Sequence, residues 1–156
     1  MFTTLLTRAS DREQANIAHP SFISIIERLS TDEAKIIIYL KGRKFVEFCD
    51  LRGNLKDSEG FIKVAQRLTI IPRDVLLEYP QNTQAYLSNL ESLGLLSDQT
   101  GLHKTNRKGE EEIKNFIHYD DLVSSLVPLR YESITIHRSY LEVTELGQLF
   151  IQACVK

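Results

Sequence analysis

Apolar residues at Phe2, Leu5, Leu6 and Ala9 recur at the spacing of one helix face, so the chain opens on an amphipathic helix predicted to reach Asn16. Met1 is the only methionine and the helical face begins at the next residue, so native sequence is expected to precede it. Proline suits a first helical turn, and His19-Pro20-Ser21 opens a second helix whose stripe is Phe22, Ile25, Ile26 and Leu29. Ser30-Thr31-Asp32-Glu33 has the spacing of a capping box, with acidic residues where the helix dipole favours them, and predicts a third helix from Thr31 to Lys41 capped by Gly42.

The pattern then changes period. Phe45 to Leu51 is aromatic and branched enough for a strand, with Arg52-Gly53-Asn54 as its turn. Ser58 is placed to cap a helix carrying Phe61, Ile62, Ala65 and Leu68, with Gly60 and Thr69-Ile70-Ile71 weakening its ends. Pro72 starts a short helix around Asp74 to Glu78, Pro80 breaks it, and a helix with Tyr86, Leu87, Leu90 and Leu93 follows, a helix-turn-helix. The polar stretch Ser97 to Gly109 reads as a wing or loop, and Glu110 to about Ser125 as a helix with Ile113, Phe116, Ile117 and Leu122 inward. Tyr131 to His137 and then Tyr140, Leu141 and Val143 form a strand pair or one bent strand, after which Thr144 caps a last helix carrying Leu146, Leu149, Phe150 and Ala153.

Two distant segments belong together. Tyr86 to Leu96 is a helix that stops at Gly94 and continues as an extended apolar pair; Leu141 to Cys154 is a strand end that turns through Val143-Thr144 into a helix. A β-excursion leaving and returning between them is the layout of a winged helix. The expected class is α+β, mainly α, in one domain over 1–156: N-terminal helices over 1–42, and a winged-helix-like core over 43–156 with an inserted helix at about 110–125. Composition agrees with one domain, since 156 residues with 42% hydrophobic content can bury roughly 70% of the unfolded surface.

Charge narrows the function classes. A net charge of -2 with 26% charged residues gives no global field toward nucleic acid or anionic lipid. Cys49 and Cys154, the only cysteines, form neither a disulfide framework nor a metal pattern and read as buried, reduced thiols. Ile36 to Leu40, the longest apolar block, is far short of the roughly 20 residues that cross a bilayer, and Phe2 to Leu6 lacks the basic region of a signal peptide, so a soluble, cytoplasmic protein without membrane contact is expected.

Candidate chemistry is sparse. Glu112-Ile113-Lys114 and Glu33-Ala34-Lys35 match the acidic-x-Lys element of restriction-type nucleases, yet both fall on predicted helices where that site needs a strand edge. The four histidines, His19, His103, His118 and His137, lack zinc-ligand spacing, and His118-Tyr119-Asp120-Asp121 is the nearest approach to a ligand cluster. No phosphate loop, dinucleotide fingerprint or nucleophile motif is present, so no catalytic residue, cofactor or metal ligand is assigned.

Ala18-His19-Pro20-Ser21-Phe22, Leu29 to Ala34, Tyr86 to Leu95 and Thr144 to Cys154 resemble, in order and over nearly the whole chain, the abortive-infection alpha family. These motifs are helix caps and packing residues. The resemblance implies a bacterial domain of unknown molecular function, associated by name with phage defence, and brings no catalytic residue with it.

A DNA-reading helix normally carries Arg or Lys, but from Gln81 to Gly94 the only charge is Glu91. The leading expectation is a non-enzymatic interaction module that contacts a host or phage protein through Asn82, Gln84, Ser88, Asn89 and Glu91. The alternative is a DNA-binding regulator using the basic cluster at Lys104, Arg107 and Lys108, which Glu110-Glu111-Glu112 nearly cancels. A third reading is self-association into a homodimer through Tyr86 or Tyr140.

Overall fold

The computed structural model describes residues 1–10, 18–56, 60–99, 108–126 and 131–156. Along them run α1 (Phe2–Ala9), α2 (Ser21–Glu27), α3 (Thr31–Tyr39), β1 (Phe45–Leu55), β2 (Phe61–Leu68), α4 (Ile71–Asp74), a 3-10 turn (Pro80–Asn82), α5 (Thr83–Ser92), β3 (Leu96–Asp98), α6 (Lys108–Phe116), α7 (Tyr119–Leu126), β4 (Tyr131–Val143) and α8 (Glu145–Cys154). The class is α+β. The chain divides into a helical unit of Met1–Val46, Val75–Asp98 and Glu142–Lys156, and a sheet unit of Glu47–Asp74 and Gln99–Leu141.

In the helical unit the caps act as the local sequence requires. Ser30 Oγ accepts the Glu33 amide at 3.2 Å while Glu33 Oε2 accepts the Ser30 amide at 2.6 Å, completing the capping box of α3. Gly42 follows at φ +78°, a backbone conformation glycine adopts without a Cβ penalty. Phe22 of α2 meets Phe150 of α8 edge-on at 5.2 Å, and both are fully buried with Ile36, Ile37, Leu87 and Leu90. The two segments paired in the sequence do meet: the Thr144 amide donates to the Leu95 carbonyl at 3.1 Å, and Thr144 Oγ1 donates to Gly94 O at 2.6 Å while capping α8 through the Gly147 amide at 2.9 Å.

The strands form one sheet in the order β2-β1-β4-β3. It is antiparallel throughout. β1 and β2 pair Asn54 with Phe61 and Cys49 with Leu68 across two irregular steps; the Lys44 carbonyl meets the Val143 amide and Asn54 meets Ser133; the Leu95 carbonyl meets Thr144 and Gln99 meets Tyr140.

Several elements differ from expectation. The helix predicted after Ser58, itself outside the described residues, is β2: Phe61, Ile62, Ala65 and Leu68 have helical spacing, yet a long-range ladder with β1 outweighs that local pattern. Arg52-Gly53-Asn54 lies inside β1, where Gly53 is required because a Cβ would overlap the Tyr131 ring. The helix expected at 110–125 is two, α6 and α7, divided where His118 takes φ +50°, with Asp120 and Asp121 in the first turn of the second helix. The helix placed at Asp74 to Glu78 is the shorter, earlier α4, and the residues after it are not helical. The extension of α1 toward Asn16 lies outside the described residues beyond Ser10.

Candidate functional site

The face of α5 is set by two carboxylates in the first turn of α3. Asp32, 2% exposed, accepts the Glu78 amide at 2.8 Å, the Tyr79 amide at 2.8 Å, the Tyr86 hydroxyl at 3.2 Å and the Lys35 ammonium at 3.0 Å. Burial alone pushes this carboxyl upward, but the amides of Glu78 and Tyr79, aided by Lys35 and Tyr86, more than offset that and hold it at about 2. Claimed in this way, Glu78 and Tyr79 do not extend the helix predicted through Glu78. Beside it Glu33 Oε1 accepts Asn89 Nδ2 at 2.7 Å, so α5 is tied to α3 through Tyr86 and Asn89, one turn apart on its inner side.

This arrangement sorts the five interaction candidates. Asn89 faces inward, donating to Glu33 and, at 3.3 Å, to the Arg28 carbonyl. Glu91 is half-buried. Asn82, Gln84 and Ser88 are exposed. With Gln81, Ala85 and Ser92, also exposed, they make a strip of uncharged small and amide side chains from the 3-10 turn along the outer side of α5. Just before the 3-10 turn, Leu76 is 91% exposed and Tyr79 51% exposed, two large apolar groups beside that strip in sequence. Tyr86, considered as a dimer contact, directs its hydroxyl to Asp32 instead.

Of the basic cluster, Lys104 and Arg107 lie outside the described residues, while Lys108 opens α6 with its ammonium 3.9 Å from Glu112. The acidic-x-Lys pairs are on helices, as expected. Glu112 pairs with Arg73 at 3.3 Å, and Lys114 is bound by Glu110 at 2.6 Å, a hydrogen bond that raises its pKa. His118, Asp120 and Asp121 line a cleft of about 410 Å³ with Glu111, Lys114 and Tyr119. Among the described residues no group of three or more His, Cys, Asp or Glu side chains is placed to hold a metal ion. Both cysteines are free and buried, and burial is the largest influence on each, pushing Cys49 up to about 12 and Cys154 up to about 11. Among the described residues no helix is long and apolar enough to cross a membrane.

Sequence reasoning missed Asp32 as the organiser of this face because its capping position already explained an acidic residue there. It also passed over Leu76 and Tyr79. Their exposure depends on a fold that no local pattern reports.

The model of the abortive infection alpha family matches residues 1–154. No curated protein matches the chain. Among solved structures, an uncharacterised protein from the hydrocarbon-degrading marine bacterium Alcanivorax borkumensis SK2 is similar in fold, with a TM-score of 0.52 and 17% identity over 94% of this chain and 99% of that one.

Proposed function

The chain belongs to the abortive infection alpha family, and on that premise we propose that it is a non-enzymatic protein-interaction domain of a bacterial phage-defence system. Its partner is a host or phage protein met in the cytoplasm, and the contact surface is the outer side of α5. The core over 43–156 is winged-helix-like in this reading, with α5 as its reading helix.

One observation carries the proposal. The exposed side of the 3-10 turn and of α5 offers Gln81, Asn82, Gln84, Ala85, Ser88 and Ser92 and no cation. Phosphate neutralisation dominates affinity for DNA, so a reading helix without Arg or Lys lacks its main term. Uncharged polar side chains next to exposed Leu76 and Tyr79 suit a protein surface, where aromatic anchors and a neutral centre are favoured.

The test uses a photo-crosslinking residue at Gln84 or Ser88 in the full chain, expressed in bacteria with and without phage, alongside titration of the purified protein with duplex DNA at two salt concentrations. A discrete protein adduct at these positions, absent from a control at Glu145, is expected, with DNA affinity weaker than micromolar. Micromolar DNA binding with a steep salt slope overturns the reading, and so does the absence of any adduct specific to Gln84 and Ser88.

A further inference from the structure

In the helical unit, away from the outer side of α5, a second feature goes beyond the proposed protein contact. A cleft of about 430 Å³ is rimmed by Arg8 of α1 and by Lys41, Arg43 and Lys44 from the turn that follows α3. Its apolar lining is Leu40, with Ile151 and Val155 from the end of the chain. No Asp or Glu lines it, although the chain as a whole carries a net charge of -2.

Four cations around one opening repel one another, and among the described residues no Asp or Glu lines the cleft to relieve them. Among the described residues none of the four is ion-paired with an Asp or Glu carboxylate. Lys41 Nζ donates to the main-chain oxygen of Lys156 at 2.6 Å, and the Arg43 guanidinium lies 4.1 Å from the centre of the Tyr39 ring while its Nε donates to the Tyr39 carbonyl at 3.1 Å. Among the described residues the buried Arg8 Nη1 has no hydrogen-bond partner. The turn depends on Gly42 at φ +78°, which places cationic residues immediately before and after it.

We infer that this cleft binds a small organic phosphate of nucleotide size. Two guanidinium forks and two ammonium groups match two or more phosphate charges, since Arg recognises phosphate oxygens in pairs and Lys acts as a point charge. The volume lies within the usual range for small-ligand sites, and Leu40, Ile151 and Val155 give the uncharged body of the ligand an apolar wall.

Calorimetric titration of the full chain with ADP, pyrophosphate and adenosine separates the contributions. ADP is expected to bind with a Kd of tens of micromolar at low salt, pyrophosphate about tenfold more weakly, and adenosine not measurably. The double variant Arg43→Gln/Lys44→Gln changes exposed side chains and should keep its melting temperature while losing at least about tenfold in ADP affinity; Arg8→Gln, made separately, should weaken ADP in the same direction. No heat with ADP, or undiminished affinity in the double variant, overturns the inference. Pyrophosphate binding as tightly as ADP overturns the part concerning an organic body. The crosslinks at Gln84 and Ser88 should be unchanged by Arg43→Gln/Lys44→Gln, so failure of one proposal is distinguishable from failure of the other.

Discussion

The helical unit and the sheet unit handle charge in opposite ways. In the helical unit Asp32 and Glu33 are buried at 2% and 4% exposure, with their oxygens taken by backbone amides and by Lys35, Tyr86 and Asn89. In the sheet unit carboxylates meet cations nearer the surface: Asp50 with Lys63, Asp74 and Glu112 with Arg73, and Glu110 with both Lys114 and Arg138. Buried carboxylates with every oxygen satisfied fix one geometry, whereas ion pairs with a partly exposed cation contribute less and are screened by salt. The difference teaches where a surface can be presented rigidly. α5 is held by Asp32 and Glu33 from its inner side, while Gln84, Ala85, Ser88 and Ser92 stay exposed along its outer side.

Phe22→Ala in the helical unit should have the largest effect. Phe22 is wholly buried against Phe150, and its loss should cost about 3–5 kcal/mol in urea unfolding, a large fraction of the stability of a domain this size. A loss below about 1 kcal/mol would mean that the aromatic pair does not organise the helical unit.

Asp32→Asn comes next, because an amide cannot accept from two backbone N–H groups and an ammonium as a carboxylate does. The folded carboxyl lies at about 2, below its ordinary 3.8, so its stabilisation is present above about pH 4 and is lost as pH falls through 2. Urea midpoints measured from pH 6 to pH 2 should therefore show a gap between the native protein and Asp32→Asn that closes on acidification. A gap independent of pH would assign the effect to packing rather than to charge.

Two glycines give a smaller and sharper contrast. In the helical unit a Cβ on Gly147 would meet the backbone carbonyl of Leu95, which cannot swing away, so Gly147→Ala should cost about 1–3 kcal/mol. In the sheet unit a Cβ on Gly53 would meet the Tyr131 ring, a side chain. If crowding at Gly53 is only steric, Gly53→Ala/Tyr131→Ala should be less destabilised than the sum of its single variants, while no single side-chain deletion rescues Gly147→Ala.

The smallest effect is expected from Glu110→Gln. It removes the partner of Lys114 and Arg138, and should lower stability by about 1 kcal/mol or less at low salt, with the difference fading toward 0.5 M salt. A salt-independent loss would show that Glu110 behaves like the buried carboxylates of the other unit.

The legibility of the chain follows the range of the forces involved. The α3 capping box, Thr144 as the cap of α8, and the meeting of Leu95 with Thr144 were readable because caps and period are local properties of a few residues. Of the candidate surface, Asn82, Gln84 and Ser88 were placed on the outer side of α5 by helical period alone. Asn89 was placed there too, but a partner 56 residues away in sequence turned it inward.

Local sequence specified α2, α3, α5 and α8, the caps of α3 and α8, the cation-free strip along α5 and the kinship with the family, because each depends on neighbours within a turn or two or on the order of such motifs. Only the tertiary structure decided that Phe61 to Leu68 is a strand, that Asp32 is a buried acceptor for Glu78, Tyr79 and Tyr86, and that Arg8 joins Lys41, Arg43 and Lys44 around one cleft. A strand needs a partner, a buried carboxylate needs donors, and a cleft needs walls. In this chain those come from segments far apart, whose pairing no local window of residues specifies.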